Sequence, residues 1–94
     1  MAAMEPHMFT ATIPVLSLSH AIRALDWLTL NCAPLTIVRT GPRAIVYASP
    51  DAPNVAELTI RAHPYATTEI VAEIDADAAL LAPALRGAVA QAGG

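Results

Sequence analysis

Apolar and polar positions fall into blocks along the chain, and the blocks read as strand, helix, a run of strands, and a closing helix. From Phe9 to Leu16 (FTATIPVL) small polar residues alternate with apolar and β-branched ones, which predicts a strand. Pro14 donates no ladder hydrogen bond, so this strand belongs at a sheet edge or ends at the turn. Ser17 and Ser19 are candidate N-caps for the following helix. In that helix Ala21, Ile22, Leu25, Leu28 and Cys32 recur at helical spacing as a buried stripe, while Arg23 and Asp26 pair on the wet face. Asn31 and Pro34 end it.

Leu35–Thr40 and Ala44–Ala48 read as strands joined at Gly41-Pro42-Arg43, a turn signal, and 49–54 is a loop stiffened by prolines. Val55–Ala62 has the cleanest alternation. Ala56, Leu58, Ile60 and Ala62 form an inward face, and Val55, Glu57, Thr59 and Arg61 form a face that cups solvent or a ligand. Thr67–Ile74 turns Ile70, Ala72 and Ile74 inward. Asp75 and Asp77 then offer N-caps to a helix striped with Leu81, Ala84, Leu85, Ala88, Val89 and Ala92. Pro83 requires that helix to kink there or to begin there.

The order predicts an α+β fold. A βαβββ module over 9–66 precedes a partial second module (βα) over 67–94 in the same domain, making a mixed sheet with its helices on one face. Residues 1–8 read as a leader outside the fold.

Composition changes this picture in few places. A hydrophobic share of 55% and a mean hydropathy of +0.50 in 94 residues exceed what a small interior hides, so a homodimer is expected, although alanine supplies much of the excess. Five basic residues, none a lysine, against eight acidic ones argue against a nucleic-acid partner. Cys32 is the sole cysteine, which excludes a disulfide framework and fits a reducing, cytoplasmic setting. No apolar run approaches the ~18 residues of a membrane span, and the N-terminus lacks the pattern of a signal peptide.

Residues with chemical potential each have a plain structural use. Cys32 on the stripe reads as a small buried hydrophobe. His20, in the first turn of the helix, reads as neutral and exposed, and His63 as an exposed turn residue. Ser17 and Ser19 are caps without a nucleophile elbow around them. Trp27 and Tyr47 suit an apolar pocket wall, core packing or a dimer contact. Glu57, Thr59 and Arg61 form the polar row of the clearest strand.

Three segments resemble the vicinal oxygen chelate superfamily of glyoxalase I, ring-cleaving dioxygenases and bleomycin-resistance proteins. IPVLSLSHAIRALDWL (13–28) is similar to the family's opening strand, turn and helix. VAELTIRAHP (55–64) resembles its fourth strand with a His-Pro corner, and EIVAEIDADAALLAPALRGAVAQAGG (69–94) resembles the start of a second module. The resemblance implies paired modules cupping a pocket, and this chain is expected to lack the last strands of the second. It also implies metal positions at Ile13, Glu57 and Glu69. Ile13 cannot bind a metal, so the set is reduced to Glu57 and Glu69, and an enzyme is disfavoured.

The expectation is thus a non-catalytic small-molecule binding protein similar to the bleomycin-resistance branch, with antibiotics among its candidate ligands and no cofactor. Its pocket forms between two chains and is lined by Trp27, Tyr47, Glu57, Thr59 and Arg61. One alternative is a metal-dependent, glyoxalase-like lyase or isomerase holding a divalent ion on Glu57 and Glu69. Another is a truncated dimerisation module without a specific ligand.

Overall fold

A computed structural model describes residues 8–32, 34–50, 56–63, 67–75 and 78–93. The elements are β1 (Met8–Pro14), α1 (Leu18–Asn31), β2 (Thr36–Thr40), β3 (Ala44–Ala48), β4 (Ala56–Arg61), β5 (Glu69–Asp75) and α2 (Leu81–Gly93). The fold is α+β, with one five-stranded sheet in the order β1-β5-β4-β3-β2. Every neighbouring pair runs antiparallel, where a mixed sheet was expected. The reason is placement: β1 and β2 run in the same direction, but α1 carries the chain to the opposite edge, so they never become neighbours. β5, from the segment read as a second module, fills the gap between β1 and β4.

Register follows the alternation seen in the sequence. Ala11, Ala72, Leu58, Tyr47 and Ile37 share a row across the sheet, and Ile13, Ile70, Ile60, Ile45 and Thr40 share the next on the same face. From β1 to β3 these rows pack under the helices, while their β2 ends, Ile37 and Thr40, are exposed. Among the described residues, Leu25, Leu28, Leu58, Ile60, Ile70, Ile74 and Leu85 are the largest fully buried side chains. Burying each such side chain stabilises by about 1.5–3 kcal/mol, which makes this layer the main source of stability. α2 packs beside α1 and over β5, and α1 touches β4, so α2 lies toward the β1 edge.

Local chemistry sets the helix ends. Ser17 Oγ accepts the His20 backbone N–H at 3.1 Å and caps α1 as expected. Ser19 instead accepts from Arg23 at 2.8 Å, and the Arg23 guanidinium reaches the Ala92 carbonyl at 3.4 Å rather than pairing with Asp26. α2 begins at Leu81, which puts Pro83 in the first turn, where a missing N–H costs nothing. Asp75 is the last residue of β5, well ahead of the start of α2 at Leu81, and Asp77 lies outside the described residues.

The stripe of α1 is rotated from its expected position. His20, Ala21, Ala24, Leu25 and Leu28 are buried, while Cys32 is exposed. Cys32 is the C-cap, with φ −128° and ψ −61°, so the chain has left the helix before the stripe reaches it. His20, expected to be exposed, is 4% exposed. Its Nδ1 accepts the Leu16 N–H at 2.9 Å, which leaves the proton on Nε2 to be donated to the Val89 carbonyl at 2.9 Å. One ring thus ties the β1–α1 turn to α2.

Candidate functional site: the open face of the sheet

On the side away from the helices, the register assembles three rows. Thr12, Val71, Thr59, Val46 and Arg39 form the central one. Thr10, Glu73, Glu57, Ala48 and Thr36 form the second, and Pro14, Glu69, Arg61 and Ala44 the third. Glu57, Thr59 and Arg61 therefore lie together on this face, as their alternation implies, with Glu57 and Thr59 half-buried and Arg61 exposed. Tyr47 and Trp27 do not join them. Tyr47 is paired with Leu58 on the helix face, and Trp27 on α1 packs against the core. The five lining residues named together from sequence are split by the sheet, because alternate positions of β3 and β4 point to opposite sides.

Tyr47 contributes differently. Burial first, and the nearby Asp26 carboxylate second, raise its phenol above the usual value of 10.0. Both causes disfavour the phenolate, so Tyr47 stays neutral and serves the core.

The charges of the open face are organised by a bulge. The β2–β3 register shifts between Ile37 and Arg39. Without that shift Arg39 would share the helix face with Ile37; with it, Arg39 pairs with Val46 on the open face. From there its Nη2 reaches Glu57 Oε1 at 3.6 Å, across the intervening β3. The reach crosses β3 at Val46 and Ala48, which are only 7% and 2% exposed although they face away from the helices. Sequence reading did not single out Arg39, since nothing in LTIVRT marks a bulge.

At one end of this face His63 Nε2 stands 3.6 Å from Glu69 Oε2, beside the cross-strand pair Arg61–Glu69. His63 is exposed, as expected for a strand-end residue. In the middle, Glu57 lies directly opposite Glu73, two carboxylates on neighbouring strands. Like charges so placed repel, and Arg39 relieves only one of them.

Glu57 and Glu69 lie on adjacent strands and are four register positions apart. That is about 14 Å between Cα atoms, too far for both to bind one ion within a single chain. Among the described residues no group of three or more His, Cys, Asp or Glu side chains stands close enough to share a metal. Ile13, at the remaining implied metal position, lies in the buried row of the helix face.

A cleft of about 90 Å³ opens where the first turn of α1 meets the β2–β3 turn, lined by Leu18, Pro42, Arg43, Ile45, Ile60 and Ala62. It is far smaller than the ~300–1,000 Å³ of ordinary small-molecule sites. No helix among the described residues is long and apolar enough to cross a membrane. No family model matches this chain, and no curated protein matches it significantly.

Proposed function

We propose that this chain is a non-catalytic small-molecule binding protein whose ligand lies on the open sheet face, in a site shared by two copies. The observation that carries the reading is the alignment of Glu57, Thr59, Arg61, Arg39 and Glu73 on a face that the helices leave uncovered. Threonine and valine give this floor apolar area with hydroxyl groups between them. The Glu57–Glu73 juxtaposition favours a cationic group, which relieves the repulsion between the two carboxylates. Five strands span about 19 Å, wide enough for a drug-sized molecule lying flat. A flat floor covers one side of a ligand, whereas such sites bury about 70–90% of it, so a second copy must supply the remaining surface. This is the binding branch of the vicinal oxygen chelate resemblance, with Tyr47 and Trp27 removed from the lining.

Calorimetric titration with cationic aromatic antibiotics and cationic glycopeptides tests the reading. Saturable binding is expected for at least one, weakened at least tenfold by Glu57→Gln together with Glu73→Gln. Absence of binding across the panel, or binding indifferent to both substitutions, overturns it.

A further inference from the structure

Among the described residues the sheet ends in β1 and β2, and these two edges are defended unequally. β2 is short, bulged and carries Arg39, three devices that discourage pairing with another strand. β1 has none of them. Its seven residues, MFTATIP, include no charge, and its register with β5 runs without a break from Met8–Asp75 to Pro14–Glu69. Pro14 sits at the very end. A regular, uncharged edge strand is a template for another strand.

We infer that β1 pairs antiparallel with β1 of a second copy about a two-fold axis at Ala11, joining two sheets into one of ten strands. The segment Phe9-Thr10-Ala11-Thr12-Ile13 is self-complementary in that register. Ala11 meets its own symmetry mate, where a small side chain permits close approach. Thr10 meets the other copy's Thr12 on the open face, a threonine pair, and Phe9 meets the other copy's Ile13 on the helix face, an aromatic–β-branched pair. Both types stabilise antiparallel ladders. Pro14 falls opposite Met8 at the ends, where its missing N–H costs little.

The helix layer continues the same border. Val89, Ala92 and Gly93 of α2 face α1, through His20 and Arg23. Helical periodicity then turns Ala84, Gly87 and Gln91 toward the flank nearest β1, and none of them is charged. A strand of seven residues gives a border about 24 Å long. With the helix layer it is roughly 20 Å deep. The patch is about 500 Å² on each copy, or about 1,000 Å² in all, which reaches the lower limit for a specific interface. The junction joins the two open faces side by side, with Glu73 of both chains flanking a central threonine strip; it widens that floor and does not cover it.

Sedimentation of the full chain tests the association itself, and cross-linking tests its location. The expected mass is twice 9.8 kDa. Placing lysines on the exposed positions, Thr10→Lys with Thr12→Lys, is expected to halve it without changing the circular dichroism spectrum. In a Cys32→Ser background, Ala11→Cys is expected to form a disulfide-linked dimer on mild oxidation, and Val38→Cys on β2 is not. A wild-type monomer, or cross-linking through Val38 in place of Ala11, overturns the inference. A dimer that binds none of the cationic probes upholds the interface and sinks the ligand reading, so the two fail separately.

Discussion

Arg39 and Glu57 are separated by a whole strand, yet their side chains meet at 3.6 Å over β3. The bulge beside Val38 makes this contact available by moving Arg39 to the open face. Both partners are substantially exposed, so the pair is expected to contribute no more than about 0.5–1 kcal/mol. A double-mutant cycle of Arg39→Ala and Glu57→Gln, followed by urea denaturation at low and high salt, measures it. A coupling above that range, or one insensitive to salt, would contradict a solvent-screened surface pair, and a loss on Arg39→Ala that persists in the Glu57→Gln background measures the part of the arginine that is not its charge.

His20 is expected to be among the costliest polar positions to lose. His20→Ala leaves the Leu16 N–H and the Val89 carbonyl without their partner and opens a cavity, for a combined loss of about 2–4 kcal/mol. A substitution that lowers stability by less than about 0.5 kcal/mol, the ordinary surface value, would contradict the keystone role.

Gly93 tests the same contact from the other side. A Cβ at this position would lie 2.7 Å from His20 Nε2, nearer than real contacts allow. Gly93→Ala is therefore expected to destabilise the wild type by about 1–3 kcal/mol, as overpacking does. In a His20→Ala background the clash disappears, so the two losses are expected to be strongly non-additive. Thermal melts of the four proteins decide; simple additivity counts against the packing.

Tyr47 has a pH signature. Its folded-state value is raised above 10.0, so the fold favours the neutral phenol. The stabilisation is fully present below pH 10 and is lost as the pH rises through the unfolded value and then the folded one. Alkaline denaturation is expected to begin later in Tyr47→Phe than in wild type. Replacing Asp26 by Asn removes the smaller cause, and phenolate absorbance in a Tyr65→Phe background is then expected to titrate at lower pH. An unchanged titration would rule out the Asp26 contribution.

Cys32 is expected to react with a thiol reagent in the native state at nearly the rate seen in denaturant, because it is exposed at the helix cap. Cys32→Ser is expected to change stability by less than about 0.5 kcal/mol. Protection from the reagent would restore the buried position that its spacing suggested.

How much of this was legible beforehand can be judged strand by strand. β3 coincides with the expected Ala44–Ala48, and β4 keeps Leu58 and Ile60 inward and Glu57, Thr59 and Arg61 outward. Alternation along a strand is a property of the backbone, so it survives into any sheet that buries one face. The Ser17 cap was equally local, settled by one hydroxyl and an N–H three residues on. These features the amino-acid order determines by itself, together with the α+β class and the two amphipathic helices.

Which strands become neighbours is a different kind of fact. The insertion of β5 between β1 and β4 depends on contacts tens of residues apart, and no periodicity encodes them. The same holds for the separation of Tyr47 from Glu57, for Arg39 redirected by a bulge, and for His20 drawn under α2. Each depends on what a distant segment places opposite it. Sequence spacing fixes where a side chain points relative to its own backbone; only the assembled sheet and helix layer decide what it points at.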